Sequence, residues 1–374
     1  MANCLIVAGE VSGEEHALSF LPDLMKQRPD LHFWGVGGEE LRKRGVELKF
    51  HIKDFSSVGV SEVVKKLPFY LNATKNILEH AQKNQTRDAL LIDFQGFNLE
   101  LAKKLTRAGI RVWYYVAPQA WVWKAGRSEQ LRKYTHHLFT ILPFEEQWFS
   151  ERGVKSITSV PHPLLKNWHD QLKHSDIRIW STQLQQAPRL LVLPGSRNAE
   201  VVHHLEPFCE ALKLFRQKFP AAHVTLSTVE TVKENYYQMI MPFINQRITS
   251  QQLPDKLSQI DVALASSGTV TLGTALMRVP TIVAYRSTLL NQFLFNHVVG
   301  YKGYLCLTNL ILGKALFPEF LGESCQGKLL FQGLEKLLQK DAWLSIQEDL
   351  ANLLEKVSQG EKDVGYFLAQ RLAK

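Results

Sequence analysis

Residues 190–205 read LLVLPGSRNAEVVHHL, and this stretch decides the fold. Four apolar residues, 190–193, suit a strand covered on both faces; Pro194 and Gly195 then end it, since neither continues a central strand comfortably. A helix starts straight afterwards, between Ser196 and Ala199. Its first turn carries free backbone N–H groups at the positive end of the helix dipole, with the hydroxyl of Ser196 and the guanidinium of Arg197 beside them. That is the local make-up of an anion site. A capped turn with a solvated arginine gives the same pattern, so the rest of the chain has to decide.

Outward from this turn the same alternation recurs. Strands are expected at 4–8, 32–36, 89–92, 111–116, 137–141 and 157–160, with helices at 13–26, 61–82, 99–108, 126–134 and 144–152. A polar stretch over 162–188 breaks the rhythm, which then restarts with strands at 190–193, 223–227, 262–265 and 281–285 and helices at 199–218, 269–277 and 289–299. From Gly327 the chain reads as helical to its end. This is the pattern of an α/β protein with two Rossmann-like, doubly wound domains. The expected boundaries are 1–165 and 166–354, with a last helix at about 355–374 free to pack back on the first domain. Ligands of such domains gather outside the carboxyl ends of the strands, and an interdomain cleft suits a bulky substrate.

Composition narrows the classes. A chain of 374 residues with 45% apolar and 21% charged residues has material for two cores, and it contains no apolar run of about eighteen residues that would span a membrane. The start, MANCLIVAGEVSGEEH, lacks a basic n-region and runs into a strand, which argues for a cytoplasmic protein. Cys4, Cys209, Cys306 and Cys325 are scattered, so neither a disulfide framework nor a metal site is indicated. The net charge of +8 favours anionic partners, whether phosphorylated substrates or phospholipid headgroups. Without a long basic run, a helix-turn-helix or an aromatic RNA-binding pattern, nucleic acid is disfavoured.

The turns after strands hold the candidate chemistry. AGEVSGEEH places Gly9, Glu10, Ser12 and Gly13 after the first strand; it is not GxGxxG, and it suits a sugar or acceptor phosphate or simply a glycine turn. GVGG at 35–38 is a weaker version. In LLIDFQGFN, Asp93 ends an apolar strand, where a carboxylate projects into the cleft as a base or caps the next helix; Asn98 caps or orients nearby. YYVAPQAWVWKAGR sets Trp121, Trp123, Lys124 and Arg127 past a strand end, suited to a sugar or acyl chain with a phosphate, or to packing. ALASSGTVTLGTAL puts Ser266, Ser267, Gly268 and Thr269 at a second helix N-terminus for the same diphosphate as Gly195, Ser196 and Arg197. Tyr285 and Arg286 end the next strand, and Asn309 and Glu319 lie beyond it. VGVSEVVKKLPFYL combines Val60, Val63, Val64, Leu67, Tyr70 and Leu71 with Lys65 and Lys66, a face for an anionic membrane surface or a buried helix kinked at Pro68.

Taken together, AGEVSG, VGVSEV, LIDFQGFN, YYVAPQAWVWKAGR, LPFE, HPLL, LPGSRNAEV, SSGTVTLGTAL and AYR resemble the lipid-A-disaccharide synthase family over nearly the whole chain. The resemblance implies an inverting glycosyltransferase of the GT-B fold, its first domain taking the acceptor and the membrane and its second the UDP-sugar. It implies transfer of 2,3-diacylglucosamine from UDP-2,3-diacylglucosamine to 2,3-diacylglucosamine 1-phosphate, giving a β-1,6 disaccharide, with no cofactor and a peripheral place on the inner membrane. By the same resemblance Asp93 is the general base, and Arg197 binds the leaving diphosphate. Gly195, Ser196, Ser267, Gly268, Thr269, Tyr285, Arg286, Asn309 and Glu319 complete the donor site, while Gly9, Glu10, Ser12, Gly13, Asn98, Trp121 and Lys124 face the acceptor. The chain departs from the family pattern at Gly273, where a Glu for the ribose is usual, at Gly96 for Asp, Glu14 for Asp, Pro161 for Gly and Gly322 for Gln. The alternative these departures motivate is a non-catalytic or altered-specificity nucleotide-sugar-binding relative.

Overall fold

The computed structural model describes residues 2–55, 66–121, 126–173, 178–286 and 303–373. Val60, Val63, Val64, Lys65, Trp123, Lys124 and the expected helix at 289–299 lie outside the described residues. The chain divides into two units, Met1–Asn167 with Val357–Lys374, and Trp168–Lys356.

Among the described residues the first unit holds seven strands: β1 (Ala2–Ala8), β2 (Leu31–Gly37), β3 (Glu47–His51), β4 (Asp88–Ile92), β5 (Arg111–Tyr115), β6 (His137–Thr140) and β7 (Ile157–Ser159). They form one parallel sheet in the order β3-β2-β1-β4-β5-β6-β7. β4, DALLI, is buried at every position, which is why its residues 89–92 read as an unbroken apolar run rather than an alternation. The order reverses between β1 and β4, and the register Ala8↔Ile92 and Ile92↔Tyr115 brings the ends of β1, β4 and β5 level. Gly9, Asp93 and Val116 therefore emerge side by side at the switch point. The last segment returns to this unit: the Arg28 guanidinium donates to the carbonyls of Ala369, Leu372 and Ala373, and buried Asp88 accepts from the Ala373 amide at 2.7 Å.

The second unit holds β8 (Arg189–Leu193), β9 (His223–Thr228), β10 (Gln246–Thr249), β11 (Val262–Ser266), β12 (Thr281–Tyr285) and β13 (Glu319–Leu321), again parallel, in the order β10-β9-β8-β11-β12-β13. The reversal here falls between β8 and β11, beside the PGSR and SSGT turns.

Three strands have no counterpart in the sequence reading: β3, β10 and β13. All are sheet edges of three to five residues that are only partly buried apart from Ile248, so no apolar run of strand length marks them. The helix expected at 13–26 is two, Val11–Leu18 and Leu21–Gln27, with Pro22 in the first turn of the second. Pro68 likewise sits in the first turn of the described helix Leu67–Lys83. The helical C-terminal region is broken into Gly327–Leu337, Lys340–Ala351, Leu353–Val357 and Val364–Ala369.

Candidate active site

In the first unit, Asp93 follows β4 directly and adopts φ 47°, with Phe94 at φ 45°. Left-handed backbone is uncommon for such residues, and Val116, level with them after β5, is a clearer outlier at φ 67° because it is β-branched. Each such residue costs roughly 1–3 kcal/mol, so the surroundings must hold it there. They do: the Asp93 amide donates to the Tyr115 carbonyl at 2.8 Å, and the Asp93 carbonyl accepts from Tyr114 Oη at 2.8 Å and Asn98 Nδ2 at 2.9 Å. Asn98 is fully buried and also donates to the Ile92 carbonyl at 3.2 Å. It orients the Asp93 turn from beneath, rather than reaching outward for an acceptor.

Trp121 stands beyond β5, edge-on to Phe144, and its Nε1 donates to Glu145 Oε1 at 3.1 Å. Glu145 is 1% exposed. Burial pushes its carboxyl up to about 7, against the pull of the Trp121 and backbone N–H donors and with added repulsion from Asp93. A carboxyl close to half-protonated at neutral pH thus shares the strand ends with the proposed base. Arg127 reaches Gln95 from the other side, Nη1 to Oε1 at 2.5 Å.

Around the first turn, Phe94 lies over Gly9 closely enough to exclude any side chain there. Gly13 is buried in the first turn of Val11–Leu18. Glu14 accepts from the amides of Gly38 and Leu41 at 2.9 Å each, so the GVGG turn serves as its partner. Glu10 and Ser12 remain half-buried at the helix start. Of the proposed membrane stretch, Tyr70 faces inward: it donates to the Phe55 carbonyl at 3.0 Å and packs with Phe55, Phe69 and Phe97. Among its described residues the outward apolar pair is Leu67 and Leu71, 52% and 56% exposed and four residues apart on one helix face, next to Lys66.

In the second unit, the PGSR turn leads from β8 into the helix Asn198–Lys218, with Ser196 and Arg197 exposed. Gly195 has φ 135° and a Cβ there would come within 2.8 Å of Glu200 Cβ, so only glycine serves. The Glu200 carboxylate accepts from the Ser196 amide and from Arg197 Nη1, each at 3.1 Å. The second N-terminus, at Gly268 and Thr269, is exposed; the Ser267 amide donates to Ala284 and its hydroxyl to Leu305. Tyr285 ends β12 and Arg286 follows it, pairing with Glu206 at 3.3 Å.

Asn309 and Glu319 face each other rather than outward. Asn309 is fully buried, Nδ2 donating to the Phe317 carbonyl and to Glu319 Oε1 and Oδ1 accepting from the Phe317 amide; Glu319 also accepts from the amides of Leu305 and Cys306. They brace the helix Leu307–Leu312 by tying it and the residues that lead into it to the segment 317–319. At the departures, the Trp168 ring fills the space a Cβ of Gly273 would need, whereas a Cβ at Gly96 meets open space. Position 273 is therefore closed to a carboxylate by a neighbour in the same unit, and position 96 is not.

The family model for lipid-A-disaccharide synthetase matches residues 4–366. The chain belongs to the lipid-A-disaccharide synthase family. Among curated members, the synthase of Myxococcus xanthus is 33% identical over 321 residues, 85% of this chain and 83% of its own length. That of Paramagnetospirillum magneticum is 30% identical over 367 residues, 96% and 94% of the two chains. Among solved structures, a UDP-GlcNAc 2-epimerase from Neisseria meningitidis bound to UDP-GlcNAc aligns with a TM-score of 0.61 at 10% identity, covering 99% of this chain and 97% of its own. The kitacinnamycin glycotransferase gives 0.62 at 13% identity and 99% of both. The fold is GT-B, and the protein is a glycosyltransferase of this family. Membership favours the transferase over the non-catalytic alternative. Among the described residues no helix is long and apolar enough to cross a membrane.

Sequence reasoning missed Tyr114, Glu145, Glu200 and His204. All four lay inside quoted stretches: Tyr114 in YYVAPQAW, Glu145 in LPFE, and Glu200 and His204 in LLVLPGSRNAEVVHHL. Their signal was polarity inside otherwise apolar or helical runs.

Proposed function

We propose that this synthase moves 2,3-diacylglucosamine from its UDP ester to the 6-hydroxyl of 2,3-diacylglucosamine 1-phosphate with inversion, forming the β-1,6 disaccharide and UDP. The observation that carries this reading is Asp93, held in a left-handed turn at the end of β4 by two donors on its carbonyl. Strain maintained at a strand end is the mark of a side chain aimed for chemistry. Asp93 takes the acceptor proton as the oxygen attacks the anomeric carbon, and one displacement without a covalent intermediate inverts it. Arg197, with the N-termini at PGSR and SSGT, receives the charge that develops on the leaving diphosphate. The first unit takes the acceptor through the turn at Gly9 to Gly13 and Trp121. The second takes UDP, with Arg197, Ser267, Gly268, Thr269, Tyr285 and Arg286 around it. Asn309 and Glu319 act there through the helix they brace.

Both substrates are acylated, and Leu67, Leu71 and Lys66 support a peripheral place on an anionic membrane surface. UDP release and disaccharide formation in mixed micelles test the reading. Turnover by the parent that collapses in Asp93→Ala and in Arg197→Ala is expected. Parent protein that binds the UDP-sugar and never turns over overturns it.

A further inference from the structure

His204 lies on the helix Asn198–Lys218, fully buried and stacked on Phe208 at 5.5 Å between ring centroids. Its Nδ1 is 2.8 Å from the Pro194 carbonyl and its Nε2 3.0 Å from the Arg286 amide. A carbonyl only accepts and an amide N–H only donates, so the partners fix the tautomer: Nδ1 carries the proton and Nε2 accepts. The two segments so joined are not sheet neighbours. β11 lies between β8 and β12, and no ladder hydrogen bond ties the PGSR turn to the end of β12.

We propose that His204 is a positioning residue for the nucleotide diphosphate, a neutral imidazole that locks the PGSR turn and the Arg286 backbone into one arrangement. The inference rests on the reading of the PGSR turn as a diphosphate site. Neutrality matters because an imidazolium donates from both nitrogens and loses the Arg286 amide. Burial holds the imidazole below its usual pKa; the bond to Pro194 and the Glu200 carboxylate oppose this, and His203 and Arg286 reinforce it. Arg286 is itself offset by Glu206. Acid conditions that protonate His204 therefore release one of the two segments.

The test is UDP titration of the full chain by calorimetry at about pH 8 and about pH 5, with circular dichroism to verify folding. Four proteins are compared: parent, His204→Phe, His204→Gln and Arg197→Ala. Phe keeps the stack on Phe208 and loses both hydrogen bonds, so UDP binding is expected to weaken about tenfold at the higher pH. Gln offers a donor and an acceptor without titrating, so it is expected to bind within roughly threefold of the parent and to lack the parent's extra weakening in acid. UDP's own titration is common to both and cancels in that comparison. If Arg197→Ala loses UDP while His204→Phe binds like the parent, or if Gln keeps the parent's full acid response, the His204 proposal is overturned alone. If His204→Phe weakens UDP and Arg197→Ala does not, the bridge stands and the assignment of Arg197 fails.

Discussion

The hydroxyl of Tyr114, on β5, donates to the backbone carbonyl of Asp93, at the end of β4, across 2.8 Å. Tyr114 is fully buried, so the bond is shielded from water and holds a residue whose φ of 47° would otherwise relax. Tyr114→Phe keeps the ring and removes the hydroxyl. Loss of about 1 kcal/mol of restraint is expected to lower kcat by roughly fivefold to tenfold, with little change in KM for either substrate. Steady-state kinetics with the proposed donor and acceptor decide it. A KM effect without a kcat effect would show that the hydroxyl serves substrate binding instead.

Trp168 and Gly273 make a second close pair, and its consequence is thermodynamic. The indole packs on the helix Thr269–Leu276 where a side chain at 273 would stand, beside the core around Leu191, Ala263 and Met277. Gly273→Ala is expected to destabilise the second unit by about 1–3 kcal/mol, despite the better helix propensity of Ala, because the ring has to move. In Trp168→Ala the same change at 273 should become neutral or favourable, since the obstacle is gone. Denaturant midpoints of the four combinations measure the coupling. Additive effects would mean that the ring gives way freely.

Much of this was open to reading in the sequence, and the reason differs by element. β4 and β8 are buried on both faces, so their apolar runs and abrupt ends could be seen; β3, β10 and β13 are half-exposed edges whose pairing, not their composition, makes them strands. Asp93 and Arg197 stood out because each follows such a run. Asn309 and Glu319 also stood out, but only the structure shows that each is the other's partner. Glu145 could not be separated from a first-turn helix acid by pattern alone. Its state depends on Trp121, twenty-four residues earlier in the chain, and on burial that no local window records.

That burial predicts a pH dependence. The Glu145 carboxyl, near 4.5 when unfolded, is pushed up to about 7 in the folded chain, mainly by desolvation. Below the unfolded value both states hold the proton and Glu145 carries no penalty. As pH rises from about 4.5 to about 7 the unfolded chain ionises first, and stability falls by roughly 3 kcal/mol until both states are ionised. Glu145→Gln stays neutral throughout, so between about pH 5 and about pH 8 it should lose less stability than the parent. Thermal melts of both proteins across that range give the answer. Identical pH profiles would show that the carboxyl is not the group responsible.

Glu200 bears on how UDP is received. Its carboxylate accepts from the Ser196 amide and Arg197 Nη1, the donors proposed for the diphosphate, at the positive end of a long helix. Two anions do not share those donors, so a diphosphate that uses them has to displace the carboxylate and overcome its charge. Glu200→Gln removes the charge, keeps one acceptor oxygen and lowers the cost of displacement. UDP is expected to bind a few-fold more tightly, with the gain shrinking as salt rises, while the helix start weakens by about 0.5–1 kcal/mol. UDP titration at low and high salt, beside a thermal melt, separates the two effects. Weaker UDP binding in Glu200→Gln at unchanged stability would mean that Glu200 holds the turn in its binding form, acting with the diphosphate and not against it.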